Sequence, residues 1–175
     1  PGQLAFASSG NGSAQHLAGA LFEVQAGVDL LHVPYKGGGP ALNDVMAGQV
    51  PLFFANVASS LGHIQSGKLR ALAVTSRRRA RALPEIQTME EAGVPGYEVN
   101  EWNPLLAPSG IKPATKAALQ DALRQALADP EVLGRIRALS GDVFPDNSDA
   151  RIAEFLKGQR SQWSRIVRER KISVD

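Results

Sequence analysis

The chain contains no cysteine, which excludes disulfides and thiolate metal sites. It does not decide the compartment, because such a chain suits an oxidising space as well as a reducing one. Its three histidines, His16, His32 and His63, fall on different elements of the pattern and give a metal site weak support. Charge of one sign is also scarce. A formal net charge of +2 is too small to imply a nucleic-acid partner or an acidic membrane surface. No apolar run approaches the roughly 18 residues of a membrane span. There is no GxxxxGK[ST], so a P-loop is excluded, and no GxSxG or acidic residue placed to orient His16, which argues against a Ser/His hydrolase. No signal peptide is visible. The chain opens at Pro1-Gly2 without a Met, just before a strand pattern, which reads as a cut rather than a natural start.

What is present is an ordinary soluble composition: 175 residues, 43% hydrophobic and 21% charged. That is enough for one domain or slightly more, with a sizeable core. The first third alternates strand and helix at about 4–8, 13–26, 30–35, 40–47, 50–55 and 57–66. Short loops and this alternation predict a parallel-dominated α/β sheet with helices on both faces. Lys68 to Thr75 reads as a fourth strand, and Thr88 to Gly93 as a short capped helix. Trp102 to Pro108 is a further apolar stretch, with Pro104 marking an edge or a crossover. From Lys112 the pattern becomes helical: 113–127 with proline in its first turn, 131–139 capped by Asp129 and Pro130, and about 149–170 after Asp146-Asn147-Ser148. Leu119, Leu123 and Leu127 read as core packing of the first of these helices.

Three strand-to-helix loops fall on one predicted sheet edge, where open α/β sheets bind ligands. The first is Ser9-Gly10-Asn11-Gly12-Ser13. Free N–H groups and the helix dipole make such a loop an anion site, although the glycines also suit a plain tight turn. Ser13 is either a simple N-cap or a cap that touches ligand. His16 is either packed or ligand-facing. The second loop, Gly37-Gly38-Gly39, follows Tyr35-Lys36, and Asn56 ends the third strand. A dinucleotide fingerprint fails here: Gln15 stands where the third glycine belongs, and Tyr35 where an acidic residue should close the second strand. Arg77 to Arg81 reads as a solvated loop, because no aromatic residues are interleaved with it.

Taken in order, Ser9-Gly-Asn-Gly-Ser-Ala-Gln-His16, His32-Val-Pro-Tyr-Lys-Gly37, Ala47-Gly-Gln-Val50, Gly67-Lys-Leu-Arg-Ala-Leu-Ala-Val-Thr-Ser76, Glu91-Ala-Gly-Val-Pro-Gly-Tyr97, Leu106-Ala-Pro108 and Ala128-Asp-Pro-Glu-Val132 resemble the extracytoplasmic solute receptors of tripartite tricarboxylate transporters, the Bug or TctC-like binding proteins. The resemblance implies a two-lobed periplasmic receptor that captures a small organic di- or tricarboxylate for membrane permease subunits. It implies no cofactor, no catalytic or metal residues, and no nucleic acid. Its ligand-binding residues carry over as Ser9, Gly10, Gly12, Ser13, Tyr35, Gly37 and Asn56. Asn56 stands where relatives usually have an acid, and Asn103-Pro104 where they have Phe-Gly. Residues 1–100 are then the second ligand-binding lobe. Residues 101–175 are the crossover and C-terminal helices, which would pack on a first lobe that is mostly absent. Without that cover, Leu119, Leu123, Phe155 and Trp163 would favour a homodimer. The alternative from the residues alone is an α/β enzyme or nucleotide-binding domain using the glycine loops.

Overall fold

The computed structural model describes residues 2–144 and 146–173, so Pro1, on which the reading of the chain's start falls, lies outside the described residues. Strand β1 (Ala5–Ser8) leads into helix α1 (Ala14–Ala26), β2 (Leu31–Pro34) into α2 (Gly38–Met46), and β3 (Leu52–Phe53) into α3 (Val57–Gln65). The three strands are parallel in the order β2-β1-β3. β1 is the central strand, and Phe6, Ala7 and Ser8 are fully buried there. Alternation along β1 splits the core between the two faces. Ala7 joins Ala41 and Val50 under α2. Phe6 packs under α1, where a Cβ on Gly19 would stand 2.3 Å from its ring, so glycine permits this close approach.

The expected fourth strand is not formed. Lys68 to Thr75 is extended at its end, but only Val74 makes a bridge, to Thr88. Val74 exchanges bonds with Gln87 O and Met89 N, both 2.9 Å, and Thr75 O accepts Val99 N–H at 2.8 Å. An extended run becomes a strand only when a neighbour satisfies its backbone groups in register. Two-residue β3 remains the sheet edge and offers no such ladder. Thr88 to Gly93 is likewise a single capped turn rather than a helix. Thr88 N–H donates to Glu91 Oε2 at 2.8 Å, Glu91 N–H donates to Thr88 Oγ1 at 3.1 Å, and Gly93 ends the turn at φ +95°.

The C-terminal part holds α4 (Pro113–Ala128), α5 (Pro130–Ala138) and α6 (Asp149–Glu169). The end of α6 returns to α1, where Ile166 is 1% exposed among Ala18, Leu21 and Tyr97. Tyr97 donates its hydroxyl to Ala18 O at 2.8 Å, and burial pushes its phenol pKa up. Arg170 clamps the same junction: its guanidinium lies 2.5 Å from Glu23 Oε1, which also accepts Leu30 N–H at 2.8 Å. Among the described residues, α4 and α5 have none buried. The leucines of α4 are therefore not core packing as their spacing suggested. Leu119 keeps 44% of its surface exposed, because α4 packs chiefly on α5 and is otherwise joined to Asp149 by an ion pair and a hydrogen bond. Phe155 and Trp163 do find cover, against Trp102 and Phe144 and against the α1 core respectively.

Candidate functional site

The carboxyl ends of β1, β2 and β3 each feed a helix N-terminus, so the three loops share one edge of the sheet. Ser13 caps α1 in extended geometry, with its hydroxyl accepting His16 N–H at 3.2 Å. Gly10 at φ +133° and Gly12 at φ +72° turn the loop in a region L side chains avoid. A Cβ on Gly10 would also lie 3.2 Å from Tyr35 O. The second loop is tied to the first: Tyr35 N–H donates to Ser8 O at 3.0 Å and Gly37 N–H to Ser9 O at 3.1 Å.

Ser9, Gly10, Gly12, Ser13, Tyr35 and Gly37 are thus brought together, but much of their hydrogen-bonding capacity is spent within the loops. Ser9 Oγ donates to Gln15 Oε1 at 2.6 Å, so the residue in place of a third glycine ties the loop down. Gly10 N–H donates to Ser8 Oγ and Gly12 N–H to His16 Nδ1, both at 3.1 Å. The Tyr35 hydroxyl donates to Asp44 Oδ2 at 2.8 Å, which raises the phenol pKa by stabilising its protonated form.

Asn56 stands apart from this cluster. It caps α3, with Oδ1 accepting Ala58 N–H at 2.8 Å, and its Nδ2 donates to the Glu101 carboxylate. An acidic group therefore does stand at this corner, supplied from the crossover rather than from position 56. Asn56, Glu101 and Trp102 line an open concavity of ≈ 2040 Å³ that also reaches Ala14 and Gln15 at the start of α1. That is a trough rather than a metabolite-sized pocket, which runs to roughly 300–1,000 Å³.

The feature sequence reasoning missed is the pairing of His16 and His32. Their rings stack with centroids 3.6 Å apart and 14° between planes. His32 Nε2 lies 2.6 Å from the buried Ser8 Oγ, and Phe6 packs against both rings. Burial pushes the His32 pKa down to about 4, helped by its neighbour, and lowers that of His16 against the pull of Glu23. The available signal was positional: His16 lies one turn into α1 and His32 sits in the adjacent strand, both beside β1. Among the described residues no cluster of ligating side chains could hold a metal.

A family model described as tripartite tricarboxylate transporter family receptor matches residues 1–172. The chain is 36% identical over its full length to a protein from the tcbD-tcbE intergenic region of a Pseudomonas species, covering 52% of that protein. It is 34% identical to one from the clcB-clcD intergenic region of Pseudomonas knackmussii, covering 95% of this chain and 99% of that one. The chain thus spans about half the length of the first relative and nearly all of the second. Among solved structures it is similar to the periplasmic binding protein BugD, with TM-score 0.89, 34% identity, and coverage of 98% of this chain and 58% of that one. A protein from R. palustris with adipate gives TM-score 0.88 at 29% identity, covering 99% and 57%. MatC from Rhodopseudomonas palustris with bound malate gives 0.85 at 29%, covering 95% and 57%. With these matches running along nearly the whole chain, in the order its loops and helices predict, the chain belongs to the tripartite tricarboxylate transporter family receptors.

Proposed function

We propose that the chain is part of a periplasmic receptor that captures a small organic di- or tricarboxylate and presents it to the permease subunits of a tripartite tricarboxylate-type transporter, without chemistry on the ligand. The observation that carries this reading is its similarity, over 95% or more of its length, to neighbours holding adipate and malate. The sheet edge supports it. The Ser9–Ser13 loop precedes a helix N-terminus, where backbone donors and the dipole favour a carboxylate. Asn56 and Glu101 at the far corner are suited to the remainder of the ligand, a carboxylate accepting from hydroxyl or ammonium donors. In this reading residues 1–100 form one ligand-binding lobe, and 101–175 lead back toward a second.

A thermal-shift screen of small dicarboxylates on the longer receptor tests the reading: stabilisation by malate or adipate that Gly12→Val abolishes supports it, and full binding by that variant removes the loop. Asn56→Asp should move preference toward ligands carrying an ammonium or hydroxyl donor. The 175-residue chain alone, with its loop open to solvent, should bind such acids only at about millimolar, near −4 kcal/mol. It should also associate into homodimers through uncovered apolar residues such as Leu119, which light scattering across a dilution series would detect.

A further inference from the structure

The stacked histidines lie directly behind the loop assigned to the ligand, and each holds a different part of it. His16 Nδ1 accepts the Gly12 N–H at 3.1 Å. His32 Nε2 meets Ser8 Oγ, and that same oxygen accepts the Gly10 N–H. Both glycines that turn the loop through positive φ are therefore tied back to an imidazole, one directly and one through Ser8. We infer that His16 and His32 are positioning residues of the Ser9–Ser13 loop, and that protonation of His16 releases it. The inference rests on the proposed carboxylate role only for its consequence on binding; the tie itself does not depend on a ligand.

The two rings are not equivalent. An N–H can only donate, so the Gly12 contact requires His16 Nδ1 to be unprotonated and its single proton to sit on Nε2. A proton added to His16 goes to Nδ1, and a donor then faces a donor. The Gly12 N–H loses its acceptor and the loop loses its tie to α1. His32 can take a proton without such a conflict: Nε2–H donates to Ser8 Oγ, while Ser8 donates onward to Gly10 O at 3.1 Å. The switch therefore resides in His16, and His32 backs it as a stacked ring.

The charged surroundings are simple. Glu23, on α1 itself, is the carboxylate acting on His16, and a charge on His16 opposes one on His32. From β1 the pair meets Phe6 and Ser8, neither of which titrates in this range. Burial holds the His16 pKa below its ordinary value of 6.5, so the ring is neutral and able to accept the Gly12 N–H at neutral pH. The tied loop is accordingly favoured fully above that value and progressively lost as pH falls below it. A receptor built this way would hold its carboxylate at neutral pH and loosen its grip in acid.

The test is a pH titration of the 175-residue chain by NMR, following the His16 ring nitrogens and the Gly12 amide from pH 8 to pH 4. The expected result is an Nε2–H tautomer at pH 8 and a Gly12 resonance that moves in step with His16 protonation, with a midpoint below 6.5. His16→Asn places an oxygen acceptor near the position of Nδ1 and does not titrate, so it should hold the Gly12 amide and flatten its pH response. His16→Leu should raise Gly12 amide exchange about tenfold at pH 8, the size of one net hydrogen bond, and converge with the unsubstituted chain in acid. A His16 proton on Nδ1 at pH 8, or a Gly12 amide indifferent to His16 protonation, would overturn the inference. Malate added at pH 8 separates the two ideas. A Gly12 shift with malate that fades in step with His16 protonation, and fades less in His16→Asn, joins the tie to binding. A titrating Gly12 that ignores both malate and adipate upholds the tie and removes the carboxylate reading.

Discussion

Phe6 of β1 is fully buried, whereas Leu119, in the apolar stripe of α4, keeps 44% of its surface. Both residues occupy the apolar positions their local period assigns, one in a strand and one in a helix. Phe6 has α1 above it, and both neighbouring strands beside its own. α4 packs chiefly on α5 and the start of α6. Periodicity fixes which face of an element is apolar, and the partner elements decide whether that face leaves water. Phe6→Ala should therefore cost about 3–5 kcal/mol in urea unfolding, while Leu119→Ala should change the midpoint by no more than about 0.5 kcal/mol. Equal losses would break the contrast, and would mean that another surface covers α4 in solution.

One part of the C-terminal region behaves like the sheet and its helices. Ile166, Trp163 and Arg170 at the end of α6 are drawn onto α1, and Glu23 sits 6% exposed beneath the Arg170 guanidinium. Arg170→Leu strands that carboxylate with only the Leu30 N–H as partner. The expected loss is about 2 kcal/mol in global unfolding, below the 3–5 kcal/mol of a fully buried pair because Arg170 itself is partly exposed. Pairing it with Glu23→Leu should restore part of the loss. No loss in the single variant would place the end of α6 with α4 and α5, outside the cooperative unit.

Acid should separate the two regions by where they respond. His32, with its pKa pushed down to about 4, and His16, also lowered, bind protons more readily once unfolded. Lobe stability is therefore complete above about 6.5 and falls as pH drops toward 4. Asp149 is held below its ordinary value, first by its hydrogen bond from Lys116 and then by Gln120. The tie it makes between α4 and α6 is present above the ordinary carboxylate range and is lost only as pH falls through the lowered value. Melting curves should thus lose ground from pH 6 downward. Lys116→Met should leave that upper window unchanged and remove only the part below about pH 4. A melting temperature flat between pH 7 and pH 5 would mean the histidine pair contributes nothing to the lobe.

The parts of the fold legible in the sequence are those governed by local chemistry. The strand-helix alternation to residue 66 and the Asp129 cap with Pro130 read directly, because each depends on neighbours within a few positions. The fourth strand did not, since Leu69 to Val74 has strand composition but a strand exists only beside a partner in register. At the site, the shared sheet edge was legible from the three loops. The commitments of its polar atoms were not: Tyr35 to Asp44, Ser9 to Gln15 and Asn56 to Glu101 are side-chain contacts, the last across 45 positions. The His16–His32 stack was hidden for the same reason, as two elements had to be aligned before the rings met.

The smallest expected effect gives the sharpest comparison, because it uses the same local device on both sides. Ser13 caps α1 by accepting His16 N–H, and Asp129 caps α5 by accepting Glu131 N–H at 2.8 Å and Val132 N–H at 3.1 Å. Removing either cap with alanine should cost its helix about 1 kcal/mol. The helices differ in what that cost reaches. α1 carries Ala18, Ala20 and Leu21 into the core, so its ends cannot fray without opening the lobe, and Ser13→Ala should lower the global midpoint by the full amount. α5 has no buried residue, so Asp129→Ala should quicken amide exchange in 131–134 about fivefold and leave the global midpoint where it was. If Asp129→Ala moved the midpoint as far as Ser13→Ala does, α5 would belong to the same cooperative unit as the sheet, and the division drawn between the two regions would fail.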